Sequence, residues 1–293
     1  MTYNPNAIFI SPSSISDFDR CPQLYFYRYV YKSPKTGLKV QLINPKLALG
    51  QVIHDTLRKF LYSAGLQKTQ EQLRSILIWQ WKQLAGEKGG FTSTDEEKTY
   101  QDRAAKILDR FWVHKHFRET QPVKMPDFPK LDLGEDIILT GRLDWLEKEN
   151  DGYRIIDFKT GENEERDDSI QLPIYAVLSS GILKTDKIRA SYWYLNKDEE
   201  IKEFKLPDLT TTLENLKKKG AIIKSVRLTQ SFACSSGNDS CWACRDFLAI
   251  AWGKAKLVSV DPIDRKQEIY IIPSGGTIPS SNESDSRSND LPF

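Results

Sequence analysis

The sequence is poor in the features that mark secreted or membrane-bound chains. Cysteine is scarce, four in 293 residues, and a chain of this length can bury its own core, so a small disulfide-stapled scaffold is ruled out. In a reducing compartment the cysteines read as a metal site or free thiols. No run approaches the ~18 consecutive apolar residues that a membrane-spanning helix needs. The start, Met1-Thr-Tyr-Asn-Pro-Asn, lacks a basic segment followed by an apolar one, so a cytoplasmic chain without a secretory leader is expected. An excess of one charge is also missing. With 42 Lys+Arg against 40 Asp+Glu, the net charge is +2, so bulk charge does not announce a polyanionic partner. There is no ATP-binding Walker motif, and no internal repeat. What remains is the composition of a soluble globular chain, 39% hydrophobic and 28% charged, with length for about two domains at ~150 residues each.

Up to about residue 120 the pattern is helical. Ser14 and Asp17 stand three apart ahead of apolar residues, a capping-box spacing that predicts a short helix. Cys21-Pro22 breaks it before a second, aromatic-rich helix. Val52, Ile53, Leu57, Phe60 and Leu61 recur at helical spacing within about 49–66, and Leu73, Ile76, Leu77 and Trp81 do so within about 69–84. Thr94 and Glu97 form another box, opening a helix expected to reach about Phe117. Beyond the proline-containing stretch 121–129, strands are expected at 137–146 and 153–159 around an Asn150-Asp151-Gly152 turn. Further strands are expected at 188–195 and 201–206, and helices at 168–183 and 209–224. The expected fold class is α/β (α+β), as one domain over 1–272. It has a helical insertion at about 50–125, a core at about 126–225 and a cysteine-rich part at 226–256. Residues 273–293, rich in Gly, Ser and Asn, are expected to form a disordered tail.

The hairpin carries the chemistry. With Asp151-Gly152 as a two-residue loop, Asp144 falls opposite Lys159 and Leu146 opposite Asp157. Side chains alternate with a period of two, so Asp144, Asp157 and Lys159 share a face. Asp157 and Lys159 share it under any register. Adjacent carboxylates repel unless a cation lies between them or one is protonated, and oxygen-rich ligation suits Mg²⁺ or Mn²⁺. A lysine two residues from a metal-bound carboxylate can orient or deprotonate a water, or offset charge developing at phosphorus. Alone, the hairpin reads equally as an exposed turn with an ordinary salt bridge. Gln171 and Tyr175, four apart on the next helix, share a face, and by themselves read as a helix packed through Tyr175. His54, beside Val52 and Ile53, reads alone as a core or surface residue, and His114 and His116 as structural.

Taken in order, Gly141-x-x-Asp144, Asp157-x-Lys159-Thr-Gly and Gln171-x-x-x-Tyr175 resemble the RecB-like branch of the PD-(D/E)XK nucleases. The resemblance covers roughly residues 8–256 and implies a restriction-endonuclease-like core. It implies that Asp144, Asp157, the Phe158 carbonyl and His54, in Gly50-Gln-Val-Ile-His54, hold metal. It also implies that Lys159 is catalytic, with Gln171 and Tyr175 helping to hold DNA and the lysine. The activity implied is Mg²⁺- or Mn²⁺-dependent hydrolysis of DNA, by an exonuclease on single-stranded ends in repair, recombination or foreign-DNA processing. A helicase is a candidate partner, and the helical insertion could arch over the active centre so that only strand ends enter.

Cys21 precedes these motifs, and Cys234, Cys241 and Cys244 follow them. Four thiolates suit a 4Fe-4S cluster or tetrahedral Zn²⁺. The arrangement resembles the iron-sulfur staple of AddB-type and CRISPR-adaptation nucleases, which implies a 4Fe-4S cluster, with zinc the alternative. The order departs from theirs, because the isolated Cys234 precedes the close pair. Aromatic and basic residues interleave in 25–32 and 111–118, a composition that suits single-stranded nucleic acid but at helical spacing mostly serves a core. The end, Asn289-Asp-Leu-Pro-Phe293, resembles the acidic, aromatic-ended tip of bacterial single-stranded-DNA-binding proteins. It implies partners among repair proteins that read such tips, or folding back as a DNA mimic. A second function class is a non-catalytic DNA-binding or adaptor module recruiting partners through that tail. The joint presence of Asp144, Asp157 and Lys159 argues against it.

Overall fold

The computed structural model describes residues 4, 6–62, 68–197, 200–237 and 239–273. The expected tail beyond residue 273, with its Asp290-Leu-Pro-Phe293 tip, lies outside the described residues. The described residues form two compact units, one within 1–16 and 43–231, the other within 17–42 and 232–273.

β1 (Ile8–Ile10) leads into α1 (Pro12–Arg20). Ser11, rather than Ser14, caps this helix. The Ser14 N–H donates to Ser11 Oγ at 3.2 Å, and the Ser11 N–H to Ser14 Oγ at 2.8 Å, a reciprocal box. Asp17 is buried instead, accepting from the Arg28 guanidinium and from the Tyr29 hydroxyl at 2.8 Å. After the break come α2 (Pro22–Tyr25), one π-helical turn to Val30, and β2 (Lys39–Leu42). α3 (Pro45–Tyr62), α4 (Gln70–Gln83) and α5 (Thr94–Val113) bury the faces that the periodicity marks, including Val52, Ile53, Phe60, Leu73 and Trp81. The cap of α5 lies one residue before the expected box, with Ser93 Oγ accepting from the Glu96 N–H at 3.1 Å. Glu97 accepts from Trp81 Nε1 at 2.8 Å. The helix also stops short of Phe117, because the backbone turns extended at His114 before α6 (Lys115–Glu119).

β3 (Lys130–Asp132) and β4 (Ile137–Thr140) join β1 in a sheet of order β1-β4-β3, with β1 parallel to β4. The single strand expected over 137–146 is therefore two. Its second part, β5 (Trp145–Glu149), belongs to another sheet, completed by β6 (Gly152–Lys159), β7 (Ile188–Tyr194) and β8 (Ile201–Phe204) in the order β5-β6-β7-β8. β6 and β7 are parallel, and α7 (Gln171–Leu183) is the crossover that a parallel pair requires. α8 (Leu209–Thr229) ends the first unit. In the second unit, α9 (Arg245–Ala251), β9 (Lys256–Asp261) and β10 (Gln267–Ile271) follow, and the sheet order is β2-β10-β9. Among the described residues, no helix is long and apolar enough to cross a membrane.

The hairpin register differs from the expected one. Glu149 pairs with Gly152 and Trp145 with Ile156, so the loop is Asn150-Asp151, and the same register carried one pair further sets Asp144 across from Asp157. Gly152 opens the strand, at a place where a Cβ would overlap the Lys187 carbonyl. The core of the first unit is aromatic. Phe117 lies 4.6 Å from the Trp193 ring in a stack, 4.9 Å from Trp145, 5.4 Å from Phe158 and 5.5 Å from Phe111. Phe111 and Phe117 are thus core residues of the 111–118 run, as Tyr25 and Tyr27 are of the other. Phe117→Ala should cost about 3–5 kcal/mol, the usual loss for a buried phenylalanine, read as a lowered urea midpoint.

Candidate active site

A cleft of about 340 Å³ is lined by His54, Arg142, Asp144, Asp157, Phe158, Lys159, Glu165, Gln171 and Tyr175, among others. α3 supplies His54, the link between β4 and β5 supplies Asp144, and β6 supplies Asp157 and Lys159. Gln171 and Tyr175 stand on the first two turns of α7. In this link Gly141 packs against Tyr175, and a Cβ there would come within 2.7 Å of the ring.

Asp144 Oδ1 stands 2.8 Å from His54 Nδ1, and Oδ2 accepts the Phe158 N–H at 3.0 Å. A strand residue points its N–H and C=O to the same edge. The Phe158 carbonyl therefore faces the Asp144 side, where β5 has ended, while the Lys159 carbonyl faces the other way and accepts from Leu195 at 2.9 Å. On the adjoining side, Lys159 Nζ lies 3.1 Å from Asp157 Oδ2, 2.7 Å from Gln171 Oε1 and 2.9 Å from Glu165 Oε1. Gln171 joins the pair by donating from Nε2 to Asp157 Oδ1 at 2.7 Å, and the Tyr175 hydroxyl stands 3.4 Å from the same nitrogen.

The two carboxyls differ in proton affinity. Burial pushes Asp157 up to about 6; Lys159 opposes the shift and the Asp144 charge adds to it. Burial also works against Asp144 as an anion, yet His54 and the Phe158 N–H hold it below the ordinary carboxylate range. Burial disfavours the His54 imidazolium, and Asp144 more than offsets this, so His54 lies above its ordinary value. Lys159 is likewise raised, because Asp157 and Glu165 outweigh its burial. Tyr175 is raised by burial and then by the two carboxylates. Asp157 is buried and Asp144 partly buried; with the His54 imidazole and the Phe158 carbonyl they are donors of the kind that could hold Mg²⁺ or Mn²⁺.

Glu165 is in direct contact with Lys159, and the sequence does not single it out, since Glu162, Glu164 and Glu165 follow no period that favours one of them. Arg142 is a second cleft residue that no sequence motif marks. It donates to Asp55, next to His54 in sequence, at 2.8 Å. His116 and His114 are structural. His116 Nε2 lies 2.6 Å from Glu147 Oε2, which also accepts from Trp145 Nε1 at 2.7 Å, and His114 packs 4.6 Å from the Trp193 ring.

In the second unit the four cysteines gather into a group that could bind a metal. None forms a disulfide. Cys21 and Cys234 Sγ atoms are 3.9 Å apart, Cys234 and Cys244 3.8 Å, and Cys241 and Cys244 3.7 Å. They lie in an apolar cluster with Leu24, Tyr27, Val40, Phe247 and Leu248.

The profile of the PD-(D/E)XK nuclease superfamily matches residues 10–245. That span holds every cleft residue named above and all four cysteines. No curated protein matches the chain. Among solved structures, Rai1 of Scheffersomyces stipitis, crystallised in complex with (3'-NADP)+ and calcium ion, is 11% identical over 77% of this chain and 70% of that one. Its TM-score of 0.24 is too low to argue from.

Proposed function

Because the chain belongs to the PD-(D/E)XK nuclease superfamily, we propose that it is a RecB-like, Mg²⁺- or Mn²⁺-dependent deoxyribonuclease. Its proposed action is exonucleolytic, on single-stranded ends, in repair, recombination or foreign-DNA processing. The observation that carries the hydrolytic reading is the link from Lys159 to Asp157 and Gln171, in the same cleft as Asp144 and His54. Asp144, Asp157, the Phe158 carbonyl and His54 would hold the metal. A divalent ion there supplies neutralisation of the paired carboxylates and Lewis-acid polarisation of a phosphoryl oxygen or water.

The remaining roles belong to the chain itself. An ammonium has three N–H donors and no acceptor, and Lys159 meets three oxygens. Exchange of the Glu165 oxygen for a phosphoryl oxygen would let Lys159 offset the charge that develops during attack. Gln171 fixes both Lys159 and Asp157, and Tyr175, packed on Gly141, backs Gln171. Gln171→Ala should therefore lower cleavage about 10–100-fold through misplacement of its two partners, and should raise the metal concentration needed, because Asp157 is one of them.

The preference for single-stranded ends rests on the resemblance to RecB-like nucleases. Proposed partners are DNA, a helicase supplying unwinding, and repair proteins that read tips like Asp290-Leu-Pro-Phe293. The test is digestion of end-labelled linear and circular single strands, and of duplexes, with Mg²⁺, Mn²⁺ or chelator. Linear single strands should shorten from an end, circles should resist, and chelator should abolish cutting. Circles cut as fast as linear strands would replace the exonuclease with an endonuclease. DNA bound but left intact under every metal would bring the adaptor class forward.

A further inference from the structure

Four thiolates can surround one metal ion or cap a four-iron cluster, and the two arrangements demand different spacing. Around one tetrahedral ion with metal–sulfur bonds of ~2.3 Å, neighbouring sulfurs lie ~3.8 Å apart. Around a cubane each thiolate binds its own iron at a separate corner, which sets the sulfurs roughly 6 Å or more apart. In this chain the Sγ separations are 3.9, 3.8 and 3.7 Å along the path Cys21, Cys234, Cys244, Cys241, and all four ligand atoms lie within 4.8 Å of one another. We propose that the four-cysteine centre holds a single tetrahedral Zn²⁺, and not the 4Fe-4S cluster that the resemblance to AddB-type and CRISPR-adaptation nucleases implies.

The surroundings support the smaller occupant. Opening the group to cubane spacing would drive the sulfurs outward, yet Cys21 and Cys244 are fully enclosed and packed with Leu24, Tyr27, Phe247 and Leu248. A close-packed interior yields little to such a displacement. Polar groups also reach the sulfurs, among them the Gln23 side-chain amide 3.0 Å from Cys244 Sγ. The Cys241 N–H donates to Cys244 Sγ at 3.2 Å, the Ser236 hydroxyl stands 3.2 Å from Cys234 Sγ, and the Ser235 and Leu24 N–H groups point at Cys21. Such donors disperse the charge that four thiolates leave on a divalent ion. The order of the ligands agrees too, because the isolated Cys234 stands before the pair, unlike the iron-sulfur staple. Zinc does not cycle between oxidation states, so the centre would be structural and indifferent to air. This inference holds whether or not the chain cuts DNA.

The test uses the full chain, purified anaerobically from cells supplied with both iron and zinc. Metal content, acid-labile sulfide and the visible spectrum are then measured. About one zinc per chain, without labile sulfide or cluster absorption, is expected. Exchange into Co²⁺ should give the intense ligand-field and sulfur-to-cobalt bands of a tetrahedral thiolate site. Cys241 is the most exposed of the four, so Cys241→Ser is the variant that should fold while weakening the sulfur-to-cobalt band. About four irons with matching sulfide would overturn the proposal, as would a folded chain carrying no metal. A cobalt spectrum unchanged in Cys241→Ser would overturn it as well.

Discussion

Lys159→Ala should lower the rate of DNA cleavage by about 10²–10³-fold at saturating metal, the usual loss when one preorganised donor to a developing anion is removed. The fold should survive. Asp157 is only 3% exposed and would lose its closest cation, but a carboxyl in that position takes up a proton rather than remaining a buried charge. Lys159→Arg should recover little. The guanidinium is a planar fork, whereas the three oxygens of Asp157, Gln171 and Glu165 surround a point charge. Asp157→Asn should fall at least as far by a different route. The amide keeps a hydrogen-bond acceptor for Gln171 but loses the charge that holds metal. The two variants therefore part in a metal titration. Lys159→Ala should need only modestly more Mg²⁺ than wild type, because the metal must displace the proton on Asp157, and Asp157→Asn should need much more. Cleavage within a few-fold of wild type in either variant would refute the assignment.

The contrast between Asp157 and Asp144 shows what the sequence could and could not tell. Asp157 and Lys159 share a face by strand alternation alone, and both line the cleft. Setting Asp144 required the register, and there the local signal misled. Asp151-Gly152 is strong hairpin chemistry, but Gly152 opens the strand beside the Lys187 carbonyl, and the loop lies one residue further back. The segment 137–146 likewise reads as one strand, and its local pattern does not mark the division at Gly141, where the Tyr175 ring packs close. α5 reads on toward Phe117, yet stacking of that ring on Trp193 belongs to a core that no local window contains. The caps slipped by one to three residues because a neighbouring Ser met the same spacing rule. Glu165 lay beyond reach altogether, since loop positions carry no period and its contact with Lys159 is made through tertiary structure. Helices with a clear apolar stripe, α3 and α4 above all, were legible because burial and periodicity agree there.

Cys21→Ser should be the most destabilising single change at the cysteine centre. The described residues between Cys234 and Cys244 form no helix or strand, so what the sulfurs bind should do much to fix their positions. A metal held there joins positions 213 apart in sequence. A clip closing so long a loop removes unfolded-chain entropy worth about 5 kcal/mol, by the scaling that applies to disulfides. Cys21 is the one ligand on the far side of that loop, whereas Cys241 lies three residues from Cys244 and closes almost nothing further. Cys21→Ser should therefore lower the urea midpoint far more than Cys241→Ser, and expose 234–244 to limited proteolysis. Structural zinc contributes binding energy directly to folding. A strong chelator should accordingly bring wild type down toward Cys21→Ser, leaving a gap of only the ~1–2 kcal/mol expected for a hydroxyl in a buried thiol site. If the full gap persists in chelator, the loss belongs to packing around Leu24 and Phe247 and not to a metal. If it closes, the centre is the fastening of the second unit.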